Sequence, residues 1–129
     1  MLVAQGHVGP VLPVSDVTAA REFYEDRLGL RGAPAPGGYR LEAGGGTRVY
    51  LLEVPDDAGS GSWPLASFEV ADLDAAVAEL TAAGTAPLRM AGTGFELDEA
   101  GIARQEGLAV AWFADPDGNV FTVFQLAGD

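Results

Sequence analysis

Apolar and polar positions alternate over short runs through most of this 129-residue chain, and in two places the alternation gives way to helical spacing. Val8 to Val14 is apolar and β-branched and predicts a strand, which Pro10 and Pro13 assign to an edge or a bulge. Asp16 is a good N-cap for a helix over Val17 to Leu28, where Val17, Ala20, Phe23, Tyr24 and Leu28 recur at three-and-four spacing. Arg21 and Glu25 form an i,i+4 pair on the opposite face, and Gly29 stops the helix. Leu30 to Ala33 and Tyr39 to Ala43 predict short strands; Gly44-Gly45-Gly46 turns the chain into a clear strand over Thr47 to Val54. Pro55 to Ser62, rich in small and acidic residues, reads as a flexible linker.

From Leu65 the pattern restarts. Ser67 to Val70 is a strand, Asp72 a cap, and Leu73, Ala76, Val77 and Leu80 an apolar helical stripe that ends at Gly84. Pro87 to Met90 predicts a short strand. The stretch Ala91 to Gly107, with a turn at Gly92-Thr93-Gly94, is expected to be a loop that flaps over a site. Leu108 to Phe113 and Val120 to Leu126 predict strands around the tight turn of Asp115-Pro116-Asp117-Gly118-Asn119. Laying Asp16 on Asp72, an offset of 56, aligns strand, cap, helix and terminal glycine in both halves, and Tyr50 falls on Thr122 in the last strands. The chain therefore reads as an internal repeat of βαβββ units, neither of which can bury both its helix and its sheet alone.

Composition narrows the function. Nineteen acidic residues against seven arginines, with no lysine, give a net charge of −12, which opposes nucleic acid as a partner and would favour a cationic ligand if the charge gathers at a cleft. The absence of cysteine and lysine removes disulfides, thiolate chemistry and Schiff bases. No apolar run approaches a membrane span and no secretory signal is evident, so a cytoplasmic protein without a membrane partner is expected. The Gly-rich turns lack the strand-to-helix setting of a phosphate loop.

The segments Leu12-Pro13-Val14-Ser15-Asp16, Phe23 to Leu30, Phe68 to Ala76 and Asp115 to Asn119 resemble the signatures of the vicinal oxygen chelate superfamily, the group of glyoxalase I, bleomycin and fosfomycin resistance proteins and extradiol dioxygenases. The resemblance covers nearly the whole chain and implies an α+β fold: one domain, residues 1–129, in which two βαβββ modules (residues 7–54 and 63–127, linker 55–62) form a curved mixed sheet around a cleft. It also implies a homodimer. Metal-dependent members place His, Glu or Gln at four inward positions, seven residues before each capping Asp and at matching places on the last strands. Here those positions hold Gly9, Leu65, Tyr50 and Thr122, so no metal cofactor is expected. His7, the single histidine, shares the strand face of Gly9 and becomes a ligand only if that alignment slips by two residues.

Period-two alternation lines the expected ligand-binding cleft with Tyr50, Leu52, Leu65, Ser67, Thr122 and Phe124, with Glu69 deeper and His7 near a rim; Trp63 and Trp112 are further candidates. The expectation is a metal-independent binder of an aromatic or cationic small molecule. Two alternatives stay open: a metal-dependent lyase or dioxygenase of the same superfamily, and a metal-free isomerase-type enzyme using Glu69 as its base.

Overall fold

A computed structural model of the chain describes residues 1–61, 63–89 and 96–127. The Asp16 carboxylate accepts from the backbone N–H groups of Thr18 and Ala19 at 2.9 and 3.3 Å and starts α1, Val17–Glu22. The predicted helix does not run unbroken to Leu28, because Phe23–Arg27 widens into a π-type turn. Around it the first unit contributes β1 (Val11–Val14), β2 (Arg31–Ala35), β3 (Gly38–Glu42) and β4 (Arg48–Glu53). The second contributes β5 (Ala66–Glu69), α2 (Leu73–Ala82, capped by Asp72), β6 (Ala103–Gln105), β7 (Leu108–Ala114) and β8 (Val120–Leu126).

Each unit forms a four-stranded mixed sheet, in the orders β1-β4-β3-β2 and β5-β8-β7-β6, with β1 parallel to β4 and β5 parallel to β8. The register carries the repeat to single residues. Val11 lies opposite Tyr50 in one sheet, and Ser67 lies opposite Thr122 in the other. Among the described residues, no helix is long and apolar enough to cross a membrane.

Three predicted elements differ. The first strand begins at Val11 rather than Val8, since Pro10 sits before the ladder and only its carbonyl takes part, accepting from Tyr50 N at 2.9 Å. Residues 87–89 are not a strand; Leu88 makes one backbone bond to Trp112 O, at 2.7 Å, and Met90 lies outside the described residues. The third strand of the second unit is instead β6, inside the stretch expected to be loop. It is held by antiparallel pairing with β7, Ala103 opposite Val110. The turn expected at Gly92-Thr93-Gly94 also lies outside the described residues.

Both helices pack on the same side of the two sheets. Leu12, Val14, Leu41, Val49 and Leu51 meet Ala20 and Tyr24 of the first helical segment, and Ala66, Ala111, Phe113, Phe121 and Val123 meet Leu73, Val77 and Leu80 of α2. Phe23, Leu28 and Phe68 touch both clusters, so the cores are continuous. The Phe23 ring meets Phe121 edge-on at 6.3 Å, joining the first unit's helical segment to the second unit's sheet.

The Asp115–Asn119 turn ties the units together on the polar side. Buried Asp115 accepts from Tyr24 OH at 2.8 Å and from Asn119 Nδ2 at 2.9 Å. The Asn119 amide also donates to Pro13 O at 2.7 Å and accepts from Gly59 N at 3.1 Å, while the Asp117 carboxylate takes both the N–H and the hydroxyl of Ser15. Burial, followed by the Asp115 charge, pushes the Tyr24 phenol far above its ordinary pKa. The segment expected to be a flexible linker is thus anchored at Gly59, whose backbone lies so close to Asp117 O that a Cβ would overlap it.

Candidate functional site

Strand register decides which side chains share a surface. With Val49, Leu51, Tyr39 and Leu41 turned to the helices, the opposite face of the first sheet carries the intervening residues. One row across that face runs Arg31, Glu42, Arg48, and the next runs Ala33, Arg40, Tyr50, Val11. A third holds Ala35, Gly38, Leu52 and Pro13. The face is charged at one end and apolar at the other. Val11 is 54% exposed and Leu52 39%, more than a strand residue keeps when another layer covers it.

The matching face of the second sheet is largely closed. Trp112 is only 7% exposed, packed with Ala103, Val110 and Val120, and Leu88, Leu97 and Phe124 lie against that cluster. Leu88 and Leu97 therefore cover part of the β6–β7 half of this face. Thr122 is also buried, its hydroxyl 2.7 Å from Ser67 Oγ. What remains open is the β5 edge, where Leu65, Ser67 and Glu69 are exposed.

Between the two edge strands lies a cavity of about 470 Å³. Val8, Pro10, Thr47 and Arg48 line one side, and Ser67, Phe68 and Glu69 the other. A second cavity, of about 330 Å³, shares Val8, Thr47 and Arg48 and adds His7 and Tyr50. Of the side chains expected in the cleft, Tyr50, Ser67 and Glu69 line these spaces, with His7 in the wall of the second. Trp63 is 80% exposed just before β5; Leu52 and Phe124 share the expected faces without lining either cavity. Glu69 is exposed on the wall rather than deep in an apolar pocket, so the burial that would suit it to general-base chemistry is missing. Arg48, Arg40 and Val11 are additions that the sequence reading omitted. Their one signal was parity: Arg48 stands two residues before Tyr50, and Val11 is the repeat partner of Ser67.

The four positions that would carry metal ligands do not fit a divalent ion. A Cβ at Gly9 would stand 2.7 Å from Arg48 O and 3.1 Å from Tyr50 Cε2, so a ligand-bearing side chain has no room. Leu65 has no donor atom, and Thr122 is engaged with Ser67. Tyr50 shares a hydrogen bond with Arg48, which, ahead of the Glu42 charge, raises the guanidinium pKa. Among the described residues no group of three or more His, Asp or Glu side chains is arranged to hold a metal.

Residues 4–123 match the model of the Glyoxalase/Bleomycin resistance protein/Dioxygenase superfamily. The chain belongs to that superfamily. Solved structures place the fold in the same group. TnmS3, an antibiotic binding protein from Streptomyces sp. CB03234, is 27% identical with a TM-score of 0.64, over 95% of this chain and 97% of its own. The bleomycin resistance determinant encoded on transposon Tn5 is 21% identical with a TM-score of 0.71, over 95% and 99%. A glyoxalase/bleomycin resistance protein from Catenulispora acidiphila DSM 44928 is 21% identical with a TM-score of 0.65, over 93% and 97%. No curated protein sequence matches the chain.

Proposed function

We propose that this superfamily member binds a planar aromatic small molecule between β1 and β5, without a metal ion and without turning it over, acting as a cytoplasmic homodimer. The observation that carries this reading is the make-up of the cleft wall. Where metal-dependent members carry ligands stand Leu65, the Tyr50 ring and a Thr122 hydroxyl bonded to Ser67, and Gly9 leaves no space for a ligand. A wall of this kind gains affinity from ring contact and apolar burial rather than from coordination. The antibiotic-binding character of TnmS3 supports the same class of activity.

The test is a melting-temperature screen with planar aromatic compounds, run with and without a chelator. A true ligand stabilises the fold by mass action, roughly 2.7 kcal/mol at a hundred times its dissociation constant. The shift is expected to survive chelation and to collapse in Tyr50→Ala. Stoichiometric metal in protein purified without added ions, or a shift abolished by the chelator, overturns the metal-free reading; chemical conversion of the compound overturns the binder.

A further inference from the structure

The charge at the open face of the first sheet is opposite in sign to that of the molecule. The protein carries −12 overall, yet three of its seven arginines, Arg31, Arg40 and Arg48, come together on this face with Glu42 as the only acid among them. Glu42 forms ion pairs with both neighbours, Oε1 lying 3.1 Å from Arg40 Nε and Oε2 3.5 Å from Arg48 Nε, yet the buried Arg40 Nε has no hydrogen-bond partner among the described residues. One carboxylate cannot neutralise two guanidinium groups, and Arg31, directly across β2 from it, makes no ion pair among the described residues. The outer Nη edge of Arg40 likewise has no partner among them. Next to this charge, in the adjoining rows of the same face, stand Tyr50 and Val11.

We propose that the ligand is an aromatic acid, its ring laid on Tyr50 and Val11 and its carboxylate or equivalent monoanion held by the guanidinium groups of Arg40 and Arg48. This rests on the reading of the cleft given above and adds the sign of the ligand's charge. A guanidinium drawn to Glu42 by an ion pair, with N–H groups left unsatisfied, offers the planar set of donors that suits a carboxylate. The opposing charge is Glu69, on the far wall of the cavity that Arg48 also lines. It limits where the acid sits: toward β3, away from β5. A cationic ligand, which the net charge alone suggests, meets arginines on this face.

Three probes of one shape separate the possibilities: naphthoate, naphthamide and naphthylmethylammonium, titrated calorimetrically into the full chain. Naphthoate is expected to bind about tenfold tighter than the amide, with the ammonium weakest, a preference that shrinks as salt is raised. In the Arg40→Gln/Arg48→Gln double variant the naphthoate advantage disappears while amide affinity stays. Arg104→Gln, on β6, keeps the advantage, and Glu69→Gln enlarges it. Should the double variant fail to fold, as judged by circular dichroism, the single Arg40→Gln is expected to lose about half of the advantage on a logarithmic scale. Amide binding with no naphthoate preference, or a preference that survives the double variant, overturns the acid and leaves the aromatic cleft standing. No binding of any probe overturns both.

Discussion

Tyr24 is where the physics of single residues is most exposed. Its hydroxyl is buried and donates to Asp115, so Tyr24→Phe removes a donor from a buried carboxylate and should lower unfolding free energy by about 1–3 kcal/mol. The raised phenol pKa adds a pH signature. The native state holds the Tyr24 proton above the unfolded value of 10.0, so this contribution is fully present below that pH and is lost as pH rises beyond it. Denaturant titrations across the alkaline range should show wild-type stability falling from about pH 10, with a shallower fall in Tyr24→Phe. Equal slopes would mean that another group governs the alkaline limb. None of this was visible in the sequence, where Tyr24 read only as one position of an apolar stripe and Asp115 only as a turn residue.

Elements were legible to the extent that their own residues carry the pattern. Both N-caps, the repeat offset and the last two strands follow from spacing, because Asp16, Asp72 and the Asp115–Asn119 turn impose local geometry wherever they occur. β6 was not legible. Ala103, Arg104 and Gln105 include no β-branched or aromatic residue, and only pairing with β7 makes them a strand. The arginine face was hidden for a related reason: Arg31, Arg40 and Arg48 come from three strands and become neighbours only once the register is set. The linker was misjudged because small residues signal flexibility unless something grips them. Gly59 is gripped, at φ +68 and against Asp117 O. Gly59→Ala should therefore cost more than about 1–2 kcal/mol in urea unfolding, far beyond an ordinary loop substitution. A change of a few tenths would show that the linker yields instead.

At the scale of the molecule, the repeat is a device for sharing a core. Phe23, Leu28 and Phe68 belong to both clusters, and the Asp115–Asn119 turn reaches across to Pro13, Ser15 and Tyr24. Neither unit keeps its interior closed without the other. Calorimetry should then record one unfolding transition whose calorimetric and van't Hoff enthalpies agree. Two resolved transitions would mean that the units are energetically separate despite their common core.

The placement of that clamp has a mechanical consequence. It joins the sheets where β1 ends and β8 begins, whereas the cavity is lined by Val8 and Pro10 ahead of β1 and by β5 along its length, Ala66 to Glu69. Among the described residues no hydrogen bond links β1 to β5 along the seam between these points. The two sheets are thus the arms of a clothespin, pinned at one end and free at the other. Spreading the free end to admit a bulkier molecule breaks no backbone ladder and is resisted by side-chain packing alone. A compliance of this kind lets one backbone take guests of different girth while the pinned end keeps its geometry.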